Sequence, residues 1–125
     1  MTEFNLETTY LSLDGQGAVV EHAGGDAFWQ SIDGNTDLLS TLVTVSPTDC
    51  DWPHWEMHPQ GDEILIMLEG TQTLVLDRGG EVSEHVMIPG VTFVVPAGVW
   101  HRAKIAEPTR MLAITYCSGS CHRSL

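Results

Sequence analysis

The chain is cut into short, apolar, β-type runs and holds no stretch that could fold as a long helix. "LLSTLVTVS" (38–46), "EILIMLEG" (63–70), "TQTLVLD" (71–77), "VTFVVP" (91–96) and "MLAITY" (111–116) are rich in Val, Ile, Leu and Thr. Gly, Pro, Asp or Asn bound them, the pattern of strands closed by turns. No window carries three turns of amphipathic helix. "AVVEH" (18–22) and "AFWQSI" (27–32) are weaker strand candidates, and "RGGE" (78–81) reads as a hairpin tip. Many short strands at close, even spacing leave an all-β sandwich or barrel as the solution. With no linker or low-complexity tract, residues 1–125 read as one domain. The small, polar tail "CSGSCHRSL" (117–125) is expected to be poorly ordered.

Charge narrows the partners. Five Lys+Arg against seventeen Asp+Glu give a net charge of -12, which repels phosphate backbones and anionic membrane surfaces, so neither nucleic acid nor membrane is expected as a partner. No run of about 18 apolar residues occurs, and "MTEFNLETTY" lacks the basic and apolar regions of an export signal. Cys50, Cys117 and Cys121 make an odd count without a disulfide-framework spacing. Together these features predict a reduced, cytoplasmic protein.

The chemistry concentrates in "WPHWEMHPQGDEILIMLEG" (52–70). Strand side chains alternate faces, so His54, Glu56 and His58 share one face, and Trp55 and Met57 take the other. Residues two apart on a strand are roughly 6.6 Å apart and residues four apart roughly 13 Å. With metal–ligand bonds of about 2 Å, Glu56 and His58 can share an ion, which leaves His54 at the rim or on the surface. The turn "PQGD" reverses the chain and starts Glu63 beside His58. In "PGVTFVVPAGVWHR" (89–102), a tight Pro96-Ala97-Gly98 turn presents His101.

These residues resemble the two signatures of the cupin superfamily. His58, Glu63 and Gly70 fall in place in the first (H-x-H, three or four residues, E, six residues, G; here 54–70), with Glu56 in the first histidine's slot. Gly90, Pro96, Gly98 and His101 fit the second (G, five residues, P-x-G, two residues, H; here 90–101), although Ile105 stands where an asparagine is usual. The resemblance implies a small cupin-type antiparallel β-barrel, or double-stranded jelly roll, that pairs as a homodimer. It also implies one divalent metal ion held by Glu56, His58, Glu63 and His101. Two carboxylates in place of one would roughly neutralise such an ion and favour harder Mn²⁺ or Fe²⁺, with Zn²⁺ and Ni²⁺ still compatible. Without an ion, Glu56 and Glu63 would be neighbouring buried carboxylates, a costly arrangement.

Alternation continues the pocket inward through Leu65, Met67, Ala103 and Ile105, with Phe93 from the strand before the turn and Trp100 and Tyr116 closing the mouth. The expected ligand is a small, oxygenated and mostly uncharged molecule. The expected activity is that of a metal-dependent dioxygenase or isomerase, with Glu56 or Glu63 as a base and His54 behind the ligands. A non-catalytic small-molecule binding or sensor module is the alternative. A sugar-phosphate isomerase is disfavoured, because Arg78, Arg102, Lys104, Arg110 and Arg123 form no evident inward cluster for phosphate. Cys117, Cys121 and His122 have a spacing that can bind zinc, although such tails more often carry free thiols.

Overall fold

In the computed structural model, which describes residues 2–125, eleven strands form two facing antiparallel sheets. The strands are β1 (Thr9–Leu13), β2 (Val19–Ala23), β3 (Thr41–Thr48), β4 (His54–Met57), β5 (Glu63–Glu69), β6 (Gln72–Arg78), β7 (Glu81–Met87), β8 (Thr92–Val95), β9 (Trp100–Lys104), β10 (Thr109–Tyr116) and β11 (Cys121–Ser124). One sheet has the order β2-β1-β3-β10-β5-β8 and the other β11-β4-β9-β6-β7. This is the double-sheet arrangement that the spacing of the runs predicts and the jelly roll that the cupin resemblance implies.

Each sheet buries one face because its strands alternate. Leu65, Met67, Leu74, Leu76, Met87, Val95 and Met111 form the main core between the sheets. The opposite face of the six-stranded sheet is also apolar. Its register aligns Val43, Ile114, Ile64 and Val94 in one row and Val45, Leu112, Ile66 and Thr92 in the next. The expected hairpin tip joins β6 to β7, with Arg78 paired to Glu81 and Gly79 and Gly80 both at positive φ, the geometry of a two-residue turn between twisted strands.

Two segments differ from the sequence reading. "AFWQSI" is not a strand: Asp26–Gln30 is a single-turn helix, α1, followed by a 3-10 turn at Ile32–Gly34. Phe28 and Ile32, four apart, turn the same way onto a second small core with Tyr10 and Leu42, and the Phe28 ring meets Tyr10 edge-on at 5.1 Å. The tail, expected to be poorly ordered, carries β11, which pairs with β4 from Cys121–Met57 to Ser124–His54. Its order comes from outside its own sequence. The backbone of β4 offers an open edge, and the Arg123 guanidinium lies over Trp55 at 5.1 Å and Trp100 at 4.6 Å while donating to Asp77 Oδ2 at 2.8 Å.

Gly70 could not be another residue without rebuilding. It has φ +74°, and a Cβ there would sit 2.4 Å from the Pro108 carbonyl oxygen. Gly98 (φ +79°) closes the Pro96 turn and donates its N–H to the His58 carbonyl at 3.0 Å. The neighbouring Ala97 N–H donates to Asp62 Oδ1 at 2.8 Å. The two turns that deliver the candidate ligands are therefore fastened to each other.

Candidate metal centre

Sheet register assembles the site. Across the five-stranded sheet His122 lies opposite Glu56, Glu56 opposite His101, and His101 opposite Leu76, so three polar side chains stand in one row. His58 follows the end of β4, and Glu63 opens β5 in the facing sheet. One donor atom from each of Glu56, His58 and His101 lies within 4.8 Å of the others. Glu63 reaches both imidazoles: Oε2 is 3.3 Å from His58 Nε2, and Oε1 is 3.0 Å from His101 Nε2.

The far side of each imidazole is tied. His101 Nδ1 lies 3.1 Å from the Val99 carbonyl, an acceptor only, so Nδ1 carries the proton. His58 Nδ1 lies 2.7 Å from Ser120 Oγ, whose single proton goes to the Cys117 carbonyl at 2.9 Å. The serine oxygen therefore accepts, and His58 Nδ1 is protonated too. Both rings present Nε2 to the centre, where a neutral imidazole offers its lone pair. Thr115 Oγ1 donates to Glu63 Oε2 at 2.5 Å and fixes the carboxylate.

The centre is nonetheless unsatisfied. His58 Nε2, Glu63 Oε1 and His101 Nε2 are buried without a well-aimed hydrogen bond, despite their closeness. Buried polar atoms normally find partners, and a cation is the kind of partner that would satisfy two imidazole nitrogens and a carboxylate oxygen this close together. The donor set fits a divalent ion.

Electrostatics without a cation follow from the same contacts. Burial alone would raise the Glu63 carboxyl, but His101 and His58 outweigh it and hold the group at about 2. For His101, burial lowers the imidazole while Glu63 raises it further, for a net rise above its ordinary value. The expected pair of buried carboxylates is not realised: Glu63 is buried, but the Glu56 side chain is 29% exposed, so the cost of burying charge falls on Glu63.

The remaining predicted residues fall into three groups. Leu65 and Tyr116 line a cavity of about 1020 Å³ that opens beside the centre, together with Trp29, Trp52, Gln72 and the β3 hydroxyls of Thr44, Ser46 and Thr48. Met67, Ala103 and Ile105 are buried away from it, and Phe93 packs against the core. Trp100 does not close the mouth. With His101 inward, alternation sends Trp100 outward under Arg123. His54 sits at the rim, its ring 4.6 Å from that of His122. The Cys117–Cys121–His122 grouping does not form, because β11 alternation turns Cys121 away from His122, and all three cysteines are free thiols. Ser120 and Thr115, which hold His58 and Glu63, do not declare themselves in the sequence. They lie 62 and 52 residues from their partners with no motif linking them.

Fold and centre together define a double-sheet β-barrel with a histidine–carboxylate cluster in its interior. A family model described as a cupin domain matches residues 41–115, and the chain belongs to that family. An uncharacterised protein of Acanthamoeba polyphaga mimivirus is 29% identical over 68 residues, 54% of this chain, and the match spans 42% of the relative's length. Among solved structures, a cupin-2 domain protein from Shewanella frigidimarina aligns with TM-score 0.54 at 21% identity, over 62% of this chain and 71% of its own. Oxalate oxidase in complex with the substrate analogue glycolate aligns with TM-score 0.56 at 20% identity, over 66% and 45%. The Fe(II) form of HppE aligns with TM-score 0.53 at 20% identity, over 62% and 43%. At these identities the likeness establishes the shared fold. Among the described residues no helix is long and apolar enough to cross a membrane.

Proposed function

We propose that this cupin is a metal-dependent enzyme holding one divalent ion at Glu56, His58, Glu63 and His101 and acting on a small, uncharged, oxygenated molecule. The observation that carries the reading is the set of three buried, unpartnered atoms, His58 Nε2, Glu63 Oε1 and His101 Nε2, facing one another. The iron in the HppE neighbour supports it, and the two carboxylates favour Fe²⁺ or Mn²⁺ over Ni²⁺ or Zn²⁺. A bound ion supplies Lewis acidity and a template for ligand oxygens.

The chain's own residues set the rest. Among the described residues no Lys or Arg lines the cavity, which disfavours phosphorylated and carboxylate ligands. Thr44, Ser46, Thr48 and Gln72 offer hydroxyl and amide partners for neutral oxygens. Glu56, half open to the cavity, is the group placed to take a proton from a ligand, while Thr115 holds Glu63 as a fixed anion. The second reading is a non-catalytic binding module, for which the cavity and its hydroxyl and amide lining would suffice without turnover. The apolar rows of the outer sheet face suit the homodimer partner, with Val94 at 53% exposure where one of them ends on the edge strand β8.

Elemental analysis of protein purified without added metal, beside Glu63→Gln, tests the centre. About one equivalent of Fe, Mn, Ni or Zn, lost in the variant, is expected, and a protein that stays empty after reloading overturns it. Oxygen uptake or conversion of neutral diketone, flavonoid or keto-sugar substrates by the loaded protein separates the enzyme from the binding module.

A further inference from the structure

We propose that the mouth of the cavity carries a second cation site, built from His54, Glu56 and His122, for a borderline divalent ion such as Zn²⁺, Cu²⁺ or Ni²⁺. Strand β11 creates it, for its pairing with β4 sets His122 directly across from Glu56. His54, two residues before Glu56 on β4, shares that face.

The distances suit a shared ion better than direct contacts. His122 Nε2 is 3.6 Å and His54 Nε2 3.8 Å from the same Glu56 oxygen, Oε1. Both are too long for hydrogen bonds. Bonds of about 2.0–2.2 Å to a tetrahedral ion would place neighbouring donor atoms about 3.4 Å apart. One donor atom from each of the three residues already lies within 4.8 Å of the other two. The two rings cross at 80°, so they are not stacked face to face. Among the described residues no Lys or Arg pairs with Glu56: Arg102 lies over Trp55, and Arg123 is occupied on the outer face by Trp55, Trp100 and Asp77.

Two imidazoles and one carboxylate leave a fourth position open to water or a ligand, and imidazole-rich sets suit the borderline ions rather than Mg²⁺ or Ca²⁺. The site shares Glu56 with the inner centre and does not depend on it. An ion at the mouth shares that carboxylate with the inner ion, one oxygen to each, and narrows the entrance.

Chelator-stripped, tag-free full-length protein is titrated with Zn²⁺ by calorimetry and with Cu²⁺ by electron paramagnetic resonance. Wild type is expected to take two equivalents. His122→Ala and His54→Ala should each lose one, and with it the mouth copper's nitrogen-coupled signal, and Glu63→Gln/His101→Ala should keep the mouth equivalent. His122 is 59% exposed, so its removal leaves the fold intact. A wild-type protein that takes no ion, or takes one that both His122→Ala and His54→Ala leave untouched, overturns the proposal. A single equivalent lost in those two variants but kept in Glu63→Gln/His101→Ala supports the mouth site and removes the inner one.

Discussion

The inner end of the cavity and its mouth draw on the same side-chain chemistry and treat it oppositely. Inside, His101, Glu63 and His58 are 0%, 5% and 9% exposed, and each is aimed by a second group: Val99, Thr115 and Ser120. At the mouth, His54, Glu56 and His122 are 40%, 29% and 59% exposed, and nothing comparable among the described residues fixes their far sides. Burial makes the inner ligands costly to leave unpaired and rigid enough to be selective. Solvent makes the outer ones cheap and adaptable. Glu56 belongs to both, which makes it the hinge of the comparison.

The largest effect expected from breaking this contrast comes from Glu63→Gln. The amide keeps the shape and can still accept from Thr115, but the charge between the two imidazoles is gone. Inductively coupled plasma analysis should find the inner ion absent. At the mouth the ion should stay or bind slightly more tightly, since Glu63 touches neither His54 nor His122 and loss of the inner ion frees Glu56.

Acid should separate the two ends next. The folded Glu63 carboxyl lies at about 2 against an ordinary 4.5, so its contribution is present above the ordinary value and is lost as pH falls toward 2. The shift corresponds to roughly 3 kcal/mol. The raised His101 works in the other direction: its contribution holds at low pH and is lost as pH rises through the folded value. Chelator-treated protein is therefore expected to be most stable in mildly acidic buffer. Urea denaturation at stepped pH should show the acid limb, and Glu63→Gln should flatten it. An acid limb that survives in the variant would place the titrating group elsewhere.

How much of this was legible depends on where each residue gets its order. Runs such as "EILIMLE" and "MLAITY" declare themselves because their own alternation builds the core, and the cupin-like spacing of Glu56, His58, Glu63 and His101 marks the residues proposed as ligands. Strands β1, "TYLSL", and β7, "EVSEHVM", carry less apolar patterning, and hairpin partners make them strands. Strand β11 was hidden, because its order is supplied by the edge of β4 and by Trp55 and Trp100 beneath Arg123. With it were hidden Ser120 as the support of His58 and His122 as a companion of Glu56. Trp100 is different, because alternation from an inward His101 sends it outward from the sequence alone.

Ser120→Ala sharpens the comparison at an intermediate scale. It removes the acceptor that fixes the His58 tautomer, and losing such outer support typically weakens metal affinity 10–100-fold. Competition with a chelator of known affinity should read this at the inner centre. Because Ser120 contacts His58 alone among the proposed ligands, the mouth affinity should hold. An equal fall at both ends would mean that the variant had loosened β11 as a whole.

The smallest effect should follow His54→Ala. The residue is half open to solvent and holds no hydrogen bond to either end, only the 3.8 Å approach to Glu56. Surface changes of this kind move stability by less than about 0.5 kcal/mol, so urea midpoints with the inner ion bound should coincide with wild type. The informative readout is the inner ion's affinity at low metal concentration. If Glu56 divides itself between the two ends, removing His54 frees it, and the inner affinity rises slightly or stays level. A marked fall would put His54 among the inner ligands, which the roughly 13 Å from His54 to His58 along an extended strand argues against.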